Sequence, residues 1–277
     1  GGGGGGRWGM ASRVAGDGIV WLRPALGIAR ADLRDFLRDK GQIWAEDPTN
    51  TNRDFERVRI RQAMPALAEL GLGAAGLAQV AAQLAKADAA LCGVLADWAG
   101  AHLTEDRGDL VWVAEAFDAL AEELRRRLVA EALIWVAGAD YAPRRADLAR
   151  LLDALDADCD RTLHGCRITR AGAGIRITRE AQAVTGLRAQ WSGLAQVWDR
   201  WRITGPADPQ AHLAPLGEEG LRARALWRES GLPRASLLAA PAIWRGETLL
   251  AAPTLDTKSA WKAEINCGAF TDSQLRR

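Results

Sequence analysis

The sequence is short of cysteine, lysine and histidine and has no long apolar run, and each shortage closes off a class of function. Four cysteines, Cys92, Cys159, Cys166 and Cys267, are scattered through 277 residues and none forms a CxxC pair. That excludes a disulfide framework and points to buried thiols. No apolar stretch approaches the roughly 20 residues that span a bilayer, and no charged segment followed by an apolar one opens the chain. The expectation is a cytoplasmic protein with no membrane partner. The three histidines, His102, His164 and His212, lie far apart, and HExxH, GxSxG and GxxxxGK[ST] are all missing. Cys159, His164 and Cys166, preceded by Asp156, Asp158 and Asp160, lack a metal-ligand spacing and read as a turn into a hairpin. Methionine occurs only at Met10 and Met64, and the chain opens on Gly1 to Gly6. Both features suggest a piece cut from a longer frame.

Lysine is replaced by arginine: 4 Lys stand beside 32 Arg, with abundant Ala and Gly. All three favoured residues have GC-rich codons, so genome composition accounts for much of the bias. The net charge is +1, and whole-chain electrostatics gives no case for a nucleic-acid partner. Such a case has to rest on local clusters. Hydrophobic content of 48% and charged content of 26% are those of a globular protein with room for two modest cores.

Residues 1–18 are glycine-rich and are not expected to order on their own. Ile19–Leu22 reads as a strand ended by Arg23-Pro24. Leu33, Phe36 and Leu37 predict a helix from about Arg30 to Lys40, closed by Gly41. A polar loop follows from Glu46 to Arg53. A second helix starts near Asp54, with Arg57 and Arg61 on one face and a kink or restart at Pro65. Leu77, Val80, Leu84, Ala87, Leu91, Val94 and Trp98 form a heptad-like stripe, read as a bundle helix packing on a neighbour. Further helices are expected over about Glu115–Val136 and after Pro143, then a hairpin around Cys166–Ile177. Beyond a boundary between 181 and 195, Trp191, Trp198 and Trp201 cluster. A helix over about Glu218–Glu229 and a hairpin over 242–251 complete the pattern.

Two stretches fit GxGxxG. Gly4, Gly6 and Gly9 fit only because nearly everything there is glycine. Gly71, Gly73 and Gly76 follow a helical segment, whereas a dinucleotide fingerprint needs a strand before its glycines. They read as an interhelix turn. A nucleotide-binding oxidoreductase built on them is the weakest of three hypotheses.

The stretch from Trp21 to Leu67, WLRPALGIARADLRDFLRDKGQIWAEDPTNTNRDFERVRIRQAMPAL, carries more information. An Arg-Pro, an amphipathic helix, a tryptophan, an Asp-Pro-Thr-Asn loop and an Arg-studded helix follow in order. This resembles the end of the N-terminal domain of the tRNA(Ile)-lysidine synthase family of PP-loop ATPases. Arg23-Pro24, Asp47, Thr49-Asn50, Phe55, Arg57 and Arg61 all match, and Leu163–Glu180 and Leu226–Pro253 resemble later parts of the family.

The resemblance implies an α/β multidomain chain: a remnant of a PP-loop α/β domain over 1–70, a helical middle domain ending in a hairpin over 71–185, and a small α+β tRNA-binding domain over 186–277. It implies an ATP-dependent ligase that adenylates the wobble cytidine of an isoleucine tRNA and joins free lysine to it, changing AUG decoding to AUA. ATP and Mg2+ are the implied cofactors, isoleucine tRNA and free lysine the partners, and a homodimer is left open. Arg23, Asp47, Asn50, Arg57, Arg61, Arg228 and Arg234 become candidates for contacting tRNA or substrate, since guanidinium groups suit phosphate. For Arg57 and Arg61 the alternative is that they brace Asp47. For Arg222, Arg224, Arg228 and Arg234 it is an ordinary solvated face.

Two departures stand out. Val58 occupies a place where the family has Asn. The Ser-Gly-Gly-x-Asp-Ser loop that holds ATP phosphates does not occur in the chain, so no catalytic, cofactor or metal residue is assigned in it. The chain is expected to be inactive alone, and the alternative to an enzyme is a non-catalytic tRNA-binding module.

Overall fold

The computed structural model describes residues 12–16, 19–157, 159–256 and 258–275. Packing divides the chain into two compact units, residues 1–90 and 91–277.

In the first unit, β1 (Arg13–Gly16) pairs antiparallel with β2 (Ile19–Leu22). Part of the glycine-rich opening therefore pairs with the expected strand, while residues 1–11, 17 and 18 lie outside the described residues. Helix α1 (Arg30–Asp39) has Asp32 in its first turn and Arg38 in its last, charges that complement the helix dipole. Gly41, at φ +63°, supplies the left-handed residue that lets the chain leave. Helix α2 (Glu56–Glu69) continues through Pro65 rather than restarting there. It hands over through Gly71, at φ +83°, to α3 (Ala74–His102). Most large apolar side chains described in this unit are exposed, Leu37, Met64 and Leu67 are half-buried, and Val58 is buried at 2%.

The heptad-like stripe on α3 is largely open: Leu77, Val80, Leu84 and Val94 are all exposed. At the helix's C-terminal end the core takes an adjoining face instead, Leu95, Ala96 and Ala99.

The second unit continues with the hairpin β3 (Leu103–Asp106) and β4 (Asp109–Val113), then α4 (Ala114–Asp118), α5 (Glu122–Ala137) and α6 (Arg145–Asp156). The single helix expected over 115–136 is broken, and Ala121 is extended. The break lets Phe117 and the Leu128–Val136 face share one core. Strands β5 (Arg161–Leu163), β6 (Cys166–Ala171) and β7 (Gly174–Arg179) join the first hairpin in an antiparallel sheet ordered β3-β4-β7-β6-β5. Trp112, Ile168, Ile175 and Ile177 pack from the sheet against Leu133, Leu151 and Leu155 from the helices.

The C-terminal part runs through α7 (Ala181–Val184), β8 (Ala189–Gln190), β9 (Ala195–Trp198), β10 (Trp201–Thr204), β11 (Ala211–Pro215), α8 (Gly217–Ala223), α9 (Arg234–Leu238), β12 (Pro241–Arg245), β13 (Thr248–Ala251) and β14 (Lys262–Ile265). Its sheets are ordered β14-β10-β9 and β13-β12-β11-β8. Trp191, Trp198, Trp201 and Trp261 fill the core between them, and Trp191 meets Trp261 edge-on at 4.9 Å between centroids. The helix expected over 218–229 stops at Ala223. Arg224 turns out of it to bond Asp256, and a separate 3-10 turn covers Trp227–Ser230. The last residues return to the first core, where Phe270 and Leu275 are buried. No single helix among the described residues is long and apolar enough to cross a membrane.

Candidate nucleic-acid interface

The polar loop after α1 is held by its own charges. Arg30 and Arg34 stand one turn apart on α1, and both bond Glu46, Arg30 at 3.1 Å. The Trp44 indole N–H donates to the same carboxylate at 2.8 Å, and the Arg34 guanidinium lies 5.8 Å from the Trp44 ring centroid. The Trp44 hydrogen bond, reinforced by Arg34 and Arg30, holds the Glu46 carboxyl below the usual range against the opposing effect of burial.

Asp47 then caps a 3-10 turn, Pro48–Thr51, accepting from the Thr49 N–H at 2.8 Å. Asn52 accepts from the Asp54 N–H at 2.9 Å. Arg59 donates to the carbonyls of Arg53 and Asp54 at 2.8 and 3.0 Å. The loop reaches α2 already shaped.

The expected site residues fall as follows. Arg23, at the end of β2, is half-buried, Asp47 is exposed, and Asn50, inside the 3-10 turn, is half-buried. Arg57 and Arg61 sit four residues apart on α2; Arg61 is exposed, and the side chain of Arg57 is outside the described residues. Glu46, Arg30, Arg34 and Arg59 were missed as shapers of the loop. The i,i+4 arginines on α1, followed by the adjacent acids Glu46 and Asp47 beyond the helix, were the readable signal.

Arg228 and Arg234 lie in the second unit. They line a cleft of about 410 Å³ with Glu218, Leu221, Arg222 and Trp227, within the usual size of a ligand site. Arg234 is bonded to Glu218. The Arg228 guanidinium stacks 4.6 Å from the Trp227 ring centroid. Arg224 is bound bidentately to Asp256 at 3.2 and 2.9 Å. Among the described residues Arg222 and Arg228 have no acidic partner, unlike Arg224 and Arg234. A polyanion fits such a wall by phosphate contact and stacking.

An adjoining cleft of about 450 Å³ is lined by Arg188, His212, Glu218, Glu219, Trp244 and Glu247 among others. Burial, with Arg188 nearby, pushes the His212 imidazole down.

The remaining sequence candidates do other things. Gly71, Gly73 and Gly76 lie between and at the start of two helices, not after a strand. His164 and Gly165 turn the chain between β5 and β6 in left-handed conformations. Cys166 is buried in the core, where desolvation pushes its thiol up to about 12. Among the described residues no group of three His, Cys, Asp or Glu side chains could hold a metal.

Comparison with known proteins bears on most of the chain. The profile of the PP-loop domain matches residues 1–67. A protein of Ruegeria pomeroyi named tRNA(Ile)-lysidine synthase is 41% identical over 238 residues, covering 84% of this chain and 55% of the relative. The chain is similar to members of the tRNA(Ile)-lysidine synthase family over most of its length. Proteins of the same name from Brucella anthropi and Bradyrhizobium diazoefficiens are 31% and 38% identical over 213 and 155 residues. These cover 74% and 53% of this chain, and 46% and 42% of the relatives. The chain spans about half the length of the curated relatives it matches. Its mixed helical and antiparallel architecture accords with this family.

Proposed function

We propose that this chain is part of a tRNA(Ile)-lysidine synthase, a cytoplasmic ligase that uses ATP and Mg2+ to join free lysine to the wobble cytidine of isoleucine tRNA. The observation that carries the reading is the 41% identity to a relative of that name over 84% of the chain. The tRNA- or substrate-facing residues proposed are Arg23, Asp47, Asn50, Arg57 and Arg61 around the shaped loop, and Arg228 and Arg234 in the C-terminal cleft, with 1–70, 71–185 and 186–277 as the functional division.

In this reading the chain's own residues bind and orient. The Glu46 clamp and the Asp47 cap fix the loop, α2 presents Arg61 beside it, and the Arg222–Arg228 wall takes phosphates. Because the Ser-Gly-Gly-x-Asp-Ser string is not in the sequence, the 277-residue chain binds tRNA without completing ligation by itself. The non-catalytic tRNA-binding module is the reading this absence favours second.

The test joins two measurements. The purified chain should bind isoleucine tRNA with an affinity that falls steeply with salt. The full open reading frame that contains it should incorporate labelled lysine into that tRNA in an ATP-dependent way. Salt-insensitive binding would remove the phosphate contacts. A full frame with no lysine incorporation would leave only the binding module. Light scattering on the same sample distinguishes a monomer from a homodimer.

A further inference from the structure

A domain boundary expected between 181 and 195 suggests a linker, but the side chains around it are tied across it. Asp109 of β4 is 2% exposed. It accepts from Arg176 of β7 at 2.6 Å and from the Ser236 hydroxyl of α9 at 2.5 Å. Arg179 of β7 grips Asp199, in the β9–β10 turn, with two bonds of 3.2 and 2.8 Å. Arg200, in the same turn and 5% exposed, donates to the Gly108 carbonyl at 2.5 Å. Its guanidinium lies 5.7 Å from the Trp135 ring centroid and 5.3 Å from that of Trp201. Arg107 donates to the Ser230 carbonyl at 2.9 Å.

The backbone is shaped to this contact. A Cβ on Gly108 would lie 2.6 Å from the Trp201 ring, and one on Gly138 would lie 3.1 Å from the Arg200 Cβ. The final segment closes the joint from the other side: Trp135 donates to the Gly268 carbonyl at 3.0 Å, and Glu105 accepts from the Phe270 N–H at 2.6 Å.

An apolar interface alone tolerates sliding, because dispersion and burial are non-directional. Buried ion pairs are different. They gain little net stability over apolar substitutes, but losing one partner leaves an uncompensated charge. The Arg179–Asp199 pair crosses the boundary and, with the Arg200–Gly108 and Ser236–Asp109 hydrogen bonds, fixes one register. Burial pushes Asp109 up and Arg200 down; the Ser236 and Arg176 hydrogen bonds oppose the first shift, and the charge of Asp109 opposes the second.

We infer that the five-stranded-sheet region and the C-terminal sheets form one rigid arm, locked at Arg200, and that residues 181–195 are not a hinge. On the functional reading above, the Arg222–Arg228 cleft is then held at a fixed offset from the five-stranded sheet. An RNA touching both meets its second contact intramolecularly.

Hydrogen exchange on the full chain tests this. Amides of 181–195 in the wild type should exchange as slowly as those of β6 and β7. Arg200→Met keeps the stem and removes the charge. It should speed exchange in 181–195 at least tenfold while β6 and β7 stay slow. A fast-exchanging 181–195 in the wild type, or an unchanged one in Arg200→Met, overturns the inference. If Arg200→Met does not fold, Ser236→Ala removes a single arm of the seam and should give about a threefold rise confined to the same segment; no rise there overturns the inference equally. Arg200→Met should also weaken tRNA binding about tenfold with an unchanged salt slope, and unaltered binding removes the RNA consequence. A wild type that binds no tRNA fails the functional reading and leaves the exchange result standing.

Discussion

The Trp44 indole N–H donates to Glu46 at 2.8 Å, only two residues along the chain, while Arg30 and Arg34 reach the same carboxylate from α1. One acid thereby folds the loop back onto the helix that precedes it. Glu46→Gln keeps the shape and removes the charge. It should speed amide exchange at Thr49 and Asn50 severalfold without changing the melting temperature of the second unit. The folded carboxyl is held below its ordinary value, so the clamp is fully present above the unfolded value and is lost as pH falls through the folded one. Wild-type exchange at those amides should therefore approach that of the variant in acid.

Arg228 and Arg234 share a cleft but differ in what they have left to give. Arg234 is engaged by Glu218, and Arg228 is stacked on Trp227 without an acidic partner. Arg228→Ala should weaken tRNA binding across sequences and reduce the salt slope by about one. Arg234→Ala should change the slope less. Filter binding across a salt series separates them, and equal effects would contradict the assignment.

Glu123 accepts from Arg126 and Arg127 at the start of α5. The Arg126 hydrogen bond, followed by that of Arg127, lowers its carboxyl to about 2 against the opposing effect of burial. A depressed folded value means the stabilisation is complete above the unfolded carboxylate range and fades as pH falls from there through about 2. The side chain is 46% exposed, so solvent screening reduces the contribution to about 1 kcal/mol. Glu123→Gln should lower stability by that amount at pH 7 and by much less near pH 2, as read from paired denaturation curves.

Cys166 is buried and its thiol pushed up to about 12, whereas Cys159 and Cys267 are exposed. At pH 8 iodoacetamide should label the two exposed cysteines and spare Cys166 until the chain unfolds. Mass mapping of the labelled peptides checks this, and early labelling of Cys166 would place it outside the core.

The family resemblance and much of the local structure were legible in the sequence. Helix α1, its stop at Gly41, the hairpins of 166–177 and 242–251, and the loop before α2 are written in short-range signals: periodicity, turn glycines and an Asp that caps its own turn. These depend on neighbours within a few residues, which a linear reading sees. Val58 departs from the Asn of the resemblance, and it is buried.

Tertiary structure decided the rest. The stripe on α3 has core spacing yet lies open, while the adjoining Leu95–Ala99 face is buried. Spacing defines a face but not the neighbour that covers it. The breaks after α4 and α8 have no Gly or Pro to announce them and follow from where Phe117 and Arg224 find their partners. The seam unites Arg200 with Gly108 and Ser236 with Asp109, across 92 and 127 residues. Charges so distant leave no local pattern, because only the folded, desolvated joint gives their pairing an energy.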